Sequence, residues 1–467
     1  MRSLKNTALP RVTALAAACC WLLATAAHGQ LLNVPMPLAS TDSELALAQV
    51  SDIAVLLDKL EEHRRDKDLR QQAYVLKRLT ELRPYAGGLQ WELARVYAQR
   101  DEKSAAYNAL IVLQQQGFNL NPDKDDAFKK IAGTGAYKYI VEGLVANAKP
   151  FGEGKVALTV QSDVELIESI SHDPARDRFI VASAQTGEIL LLDAKGRPTP
   201  FIKPNQDNGL FGVYSLLADA KRDLLYVGST ALPGYVGFEP STYGQGGVSL
   251  FQLSTGKFLK RIPLPFDGQP HALSAMAIAT TGELYAADAI GRTVYQLRDG
   301  KFRQLFQSPE LSGLRGLAVS DDHKWVYFTD FEFGLHIADL GKNEIRNLKF
   351  ANQNLGGIDG IYLQNKQLFA IQNGTTPTRI LRIALSPAGN AIAKVTPVEA
   401  NKPELTAPTF GTLVGNKLYF IANSQRDLYA ADGKILDGEK PERRKIYVVS
   451  TDAPAPEPAM PTLAAPK

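Results

Sequence analysis

Residues 314–330 read LRGLAVSDDHKWVYFTD. An apolar run (317–319) meets a turn dense in aspartate and charge (320–324), a second run of β-forming residues follows (325–329), and Asp330 closes the stretch: this is a β-hairpin. Its rhythm recurs. When Arg315 and Asp330 are aligned with Glu168/Ser183, Tyr214/Ser229, Ser274/Asp288, Asp359/Asn373 and Pro408/Asn423, the two positions of each pair lie 14 or 15 residues apart. Successive hairpins start 41 to 60 residues apart, which is room for four short strands, the repeat of a β-propeller blade. Further strand-like runs at 188–193, 248–253, 293–297 and 379–383 supply the outer strands. Six units predict a six-bladed propeller over 155–451. It closes if KVALTVQ (155–161) joins KIYVVS (445–450), which leaves no open sheet edge there.

The flanks of the ring read differently. Arg2, Lys5 and Arg11 precede an apolar stretch (12–27) and then small residues, so 1–29 is predicted to be a signal peptide cleaved near Ala26 or Gly29 and too short for a stable membrane span. Both cysteines, Cys19 and Cys20, lie inside it, and the mature chain then has neither disulfide nor thiol. An exported chain of this kind suits a bacterial periplasm or secretion. The formal charge of +3 falls to about zero once the three leading basic residues are gone, and no clustered basic surface remains for nucleic acid. Residues 41–148 carry helical periodicity, with Asp42 or Ser43 as the expected first cap. The pair 89–100 and 102–116 resembles a tetratricopeptide repeat, with Ala94, Ala105 and Ala109 small enough for close helix contact and Tyr97 between them. Such a segment presents a surface to a protein partner or caps the propeller. The Pro/Ala-rich residues 452–467 are expected to form a disordered tail.

In a propeller the starts of the inner strands and the ends of the second strands share one face, a funnel. Glu168, Tyr214, Ser274, Arg315 and Asp359 are expected at the inner-strand starts. At the second-strand ends Asp288, Asp330, Asn373 and Asn423 complete a polar ring, while Ser183 and Ser229 read as turn residues. The long connection 231–246 (ALPGYVGFEPSTYGQG) belongs to the same face, and Tyr235, Phe238 and Tyr243 would give it apolar surface to lid the funnel over a small-molecule ligand.

The segments IESISHDPARDRFIVAS, SAMAIATTGELYAAD, RGLAVSDDHKWVYFTD and IDGIYLQNKQLFAIQNG resemble the senescence marker protein/gluconolactonase family of six-bladed propellers, over about residues 164–450. In that family a Glu, an Asn and an Asp, with a second Asn nearby, hold a divalent metal for hydrolysis of sugar lactones. The resemblance places the Glu on Glu168 and the Asp on Asp359, the tentative catalytic and metal-binding pair. The two Asn positions fall on Arg315 and Ser274, and a substrate-reading Arg falls on Ala272. An arginine offers a hard cation no oxygen, so Arg315 and Ser274 disfavour the metal. Arg315 is expected to stand in for it, within salt-bridge reach of Glu168, Asp359 or both. The resulting expectation is an exported binding module for a small molecule or a protein. A metal-dependent lactonase or esterase, and a helical scaffold for a protein partner, are the alternatives.

Overall fold

Residues 41–161, 166–265 and 267–452 are described by the structure, a computed structural model of the chain. The signal-peptide reading and the tail from residue 453 onward lie outside the described residues. Among the described residues no helix is long and apolar enough to cross a membrane.

Six four-stranded antiparallel sheets form the ring, five of them built in chain order from the inner strand outward. The inner strands are Ile167–Asp173, Gly212–Asp219, Leu273–Ile278, Leu314–Val319, Ile358–Gln364 and Gly411–Val414, which define blades 1 to 6. In blade 6 the outermost strand comes from the other end of the chain: Lys155–Thr159 runs antiparallel to Lys445–Ser450, with Lys155 opposite Val448 and Thr159 opposite Lys445. The closure expected from the sequence is present.

Each sheet has a neighbour on both faces, so strands near the axis are buried on both sides even where, as in IESISHD, most of their residues are polar. All seven residues of Ile167–Asp173 are buried. A separate apolar cluster fills every interblade space, for example Tyr285, Phe306 and Phe328 between blades 3 and 4, and Ile167, Ile421 and Ile446 where blade 6 meets blade 1.

Five inner strands are interrupted at their starts. The pairing register jumps from Ile167 to Ser169, Val213 to Ser215, Leu273 to Ala275, Leu314 to Leu317 and Ile358 to Gly360. The skipped residues include Glu168, Tyr214, Ser274, Arg315 and Asp359. A bulge leaves its residue out of the ladder and re-aims the side chain, and four of these five, Glu168, Tyr214, Arg315 and Asp359, line cavities near the ring axis.

Ahead of the ring, helices Ile53–Arg65, Leu69–Leu82, Gly87–Gln99, Lys103–Gln115 and Gly135–Ala146 pack each against the next, and the short helix Asp42–Leu47 packs on Leu69–Leu82. Thr41, one residue earlier than expected, caps the first: its hydroxyl accepts from Glu44 N while Glu44 reaches back to Thr41 N, a reciprocal capping box. Ala94, Ala106 and Ala109 are buried where two helices approach; Ala106 takes the place expected for Ala105. The helices end on the funnel-side turns of blades 4 and 5. Tyr85 joins the apolar cluster between those blades. The link to the ring is tied down as well, with Gly154 N donating to Glu399 Oε2 (2.9 Å) and Phe151 pairing with Ala400.

Candidate funnel site

The bulges bring Glu168, Arg315 and Asp359 to one open pocket of about 480 Å³, completed by Phe331, Asn373, Thr409 and Arg426. A separate, smaller cavity of about 60 Å³ among the inner strands is lined by Tyr214 and Tyr362.

Glu168 is 1% exposed and Asp359 8%. Two buried carboxylates on one pocket need compensating charge or donors. Each has its own. Glu168 forms an ion pair with Arg426, which projects from the short 3₁₀ turn Arg426–Leu428 in the long connection of blade 6. Asp359 Oδ2 accepts from Asn373 Nδ2 (2.8 Å) and Thr409 Oγ1 (3.1 Å). Its Oδ1 faces Arg315 Nε at 3.7 Å, and the Arg315 guanidinium lies 5.7 Å from the centre of the Phe331 ring. Of the two carboxylates that Arg315 was expected to reach, it lies within salt-bridge distance of Asp359, while the cation beside Glu168 is Arg426. The Glu168 carboxylate, with Asp359 adding to it, holds the Arg426 proton more firmly than usual against the opposing effect of burial. Burial pushes the Tyr214 hydroxyl up to about 12, with Arg426 opposing and Glu168 adding.

Several residues expected to bind ligand are committed elsewhere. Asp288 accepts from Ala272 N (2.8 Å), Gly291 N (3.0 Å) and His271 Nδ1 (2.6 Å). Asp330 accepts from Ser312 Oγ (2.6 Å) and from the backbone of Gly313, Glu332 and Phe333. Asn423 takes Lys445 N on its oxygen (2.7 Å) and gives its amide to Arg443 O (3.2 Å). A short polar side chain at a strand end satisfies the turn's free amides, and these three do that. Ser183 does the same for Gln185 N and Thr186 N. Ser274 donates to Ala287 O of its own blade (3.3 Å) and does not line the pocket. Asn373 alone of the second-strand ends reaches the pocket. The loop 231–246 is also elsewhere: Tyr235 packs edge-on to Phe211 (6.0 Å), Phe238 and Tyr243 pack on each other (6.3 Å), and Val236 N donates to Gln185 O (2.9 Å). It roofs blades 1 and 2, and its aromatic residues do not line the pocket.

These residues do not fit the divalent cation that the family resemblance implies. Of the four carried-over positions, Arg315 offers only donors, Ser274 does not line the pocket, and Glu168 is paired to a guanidinium. Among the described residues no cluster of three His, Cys, Asp or Glu side chains has metal-holding geometry. What the pocket does offer is unmet hydrogen-bonding capacity. Glu168 Oε1, Asn373 Oδ1 and Arg315 Nε are buried without a hydrogen-bond partner among the described residues.

No family model matches the chain, and no curated protein matches it either. Solved structures similar to it include the PQQ-bound aldose sugar dehydrogenase of Streptomyces coelicolor (16% identity, 64% of this chain and 99% of that one, TM-score 0.43). A candidate gluconolactonase is similar at 15% identity, over 66% of this chain and 94% of that one, with a TM-score of 0.44. A catalytically inactive virginiamycin B lyase of Staphylococcus aureus with quinupristin matches at 12% identity, over 64% and 99% of the two chains, with a TM-score of 0.42. The propeller assignment rests on the strand pairing of this chain itself.

Proposed function

We propose that the protein is an exported binding propeller whose funnel takes a small, neutral, polyhydroxylated molecule without a metal. The observation that carries this reading is the trio Glu168 Oε1, Asn373 Oδ1 and Arg315 Nε, two acceptors and one donor of pocket-lining residues that are buried without a hydrogen-bond partner among the described residues. A hydroxyl both donates and accepts, so neighbouring hydroxyls of one ligand serve all three atoms. A buried acceptor left unmet costs about 1–3 kcal/mol, which a donating ligand recovers. Charge argues for neutrality: an ammonium would meet Arg315 and Arg426, and an anion would meet Glu168, Asp359 and Asp427. Titration calorimetry of the full chain with neutral monosaccharides and cyclic polyols, in chelator, tests this. The expected result is binding that Asn373→Leu weakens by about tenfold, the equivalent of one good hydrogen bond. No binding across the panel, or affinity untouched by Asn373→Leu, overturns it. The second reading, a metal-dependent lactonase or esterase, draws support from the presence of Glu168 and Asp359 on the same pocket. It requires turnover of a sugar lactone that depends on added divalent cation.

A further inference from the structure

Backbone hydrogen bonds run from blade to blade beside the pocket. Phe331 N donates to Gly313 O (3.1 Å), Gly357 N to Phe331 O (2.6 Å), and Asn373 N and Gly374 N both to Gly357 O (3.0 Å each). This belt joins the turn of blade 4 to the entry and the turn of blade 5. There is no slack in it: a Cβ on Gly374 would lie 2.6 Å from the Gly357 Cα and 2.7 Å from the Phe331 ring. On one side the belt carries Phe331 beneath Arg315 and Asn373 against Asp359.

The helical region holds the other side. Arg83 pairs with Glu332, and its guanidinium lies 4.6 Å from the centre of the Phe333 ring. The Tyr85 ring packs on Gly334 and Gly356, and its burial pushes the hydroxyl up to about 12. Asn119 N donates to Thr376 O (3.1 Å). Gln372, next to Asn373, donates to Asn354 O (3.0 Å) and Gly356 O (2.7 Å) and accepts from Arg379 Nε (2.9 Å), whose guanidinium abuts Gly117 at the end of the helix Lys103–Gln115. Thus Phe331 and Asn373 each sit one residue from a contact that leads to the helices.

We propose that the helical region is the positioning element of the funnel pocket, with Arg83 and Tyr85 as its positioning residues. They fix the belt, and the belt fixes Phe331 and Asn373. By linkage, anything that draws the helices off the ring weakens binding in the funnel, and a bound ligand holds the helices down. The effect on affinity rests on the binding reading above; the coupling itself is measurable with no ligand present. Amide hydrogen exchange on the full chain is the test. Arg83→Met and, as a milder change, Glu332→Gln are compared with Arg70→Met, which breaks the Arg70–Glu44 pair (2.6 Å) inside the helical region and away from the belt. The amides of Phe331, Gly357, Asn373 and Gly374 are expected to exchange about tenfold faster in Arg83→Met, with a smaller increase in Glu332→Gln and none in Arg70→Met. Arg83→Lys, which keeps the charge, is expected to recover part of the protection. Unchanged belt exchange in both Arg83→Met and Glu332→Gln, or equal acceleration by Arg70→Met, overturns the proposal.

Discussion

Glu168 and Asp359 sit in similar places but depend on different neighbours. Glu168 relies on one cation, so Arg426→Met strands a buried carboxylate and is expected to lower stability by about 1–3 kcal/mol in urea unfolding. Arg315 is about a third exposed (31%), and its carboxylate keeps Asn373 and Thr409, so Arg315→Met is expected to cost about 1 kcal/mol or less. A larger loss in Arg315→Met than in Arg426→Met would reverse the assignment of the two arginines. His271 gives a pH signature. It lies between Asp288 (2.6 Å) and Asp267 (3.1 Å), and chiefly the Asp288 hydrogen bond raises its pKa against burial. A folded-state pKa above the unfolded one means that the stabilisation is complete below about pH 6.5 and is lost as pH rises through the raised value. The melting temperature is therefore expected to fall between pH 6 and 8, with a shallower slope in His271→Gln; an identical slope in the variant would rule this source out.

The hairpin repeat and the closing strand could be read from sequence because each strand is a short run of β-forming residues bounded by turn residues, and the hairpin recurs with the same internal spacing in every blade. The fixed offset also found Glu168, Tyr214, Ser274, Arg315 and Asp359, which prove to be the bulged positions of their strands. What a side chain does at such a position was less legible. Asp288 and Asp330 look like Asn373 in the alignment, yet whether a strand-end carboxylate faces the funnel or folds back on its own turn depends on which amides the next few residues leave free. Arg426 was missed because it lies on no strand. Its signal was the long charged connection between Asn423 and Lys445, the counterpart in blade 6 of the loop 231–246. That loop carries the conspicuous aromatics, but Phe238 and Tyr243 pack on each other and away from the pocket. Phe238→Ala and Tyr243→Ala are expected to leave polyol affinity unchanged in calorimetry, and a clear loss would restore the lid.

The whole molecule behaves as one ring with a cap built into it. Tyr85 completes the cluster between blades 4 and 5, and Glu399 anchors the link at Gly154, so the ring is closed without the helices but loses packing when they are removed. Thermal unfolding is expected to rank the full chain above a fragment beginning at Lys149, and that fragment above one beginning after Ser162, which lacks the strand Lys155–Thr159. Equal melting of the two fragments would contradict the closure. On the proposed reading, arginines occupy the electrostatic role of a cation in the funnel and leave its unpartnered polar atoms to a neutral ligand. The direct measurement is the metal content of purified protein after equilibration with calcium, magnesium, manganese and zinc and then dialysis, for the wild type and for the double variant Arg315→Asn/Arg426→Gln. No retained divalent ion is expected in the wild type and a measurable gain in the double variant, where Glu168 and Asp359 lose both guanidiniums; a stoichiometric ion in the wild type would overturn the assignment.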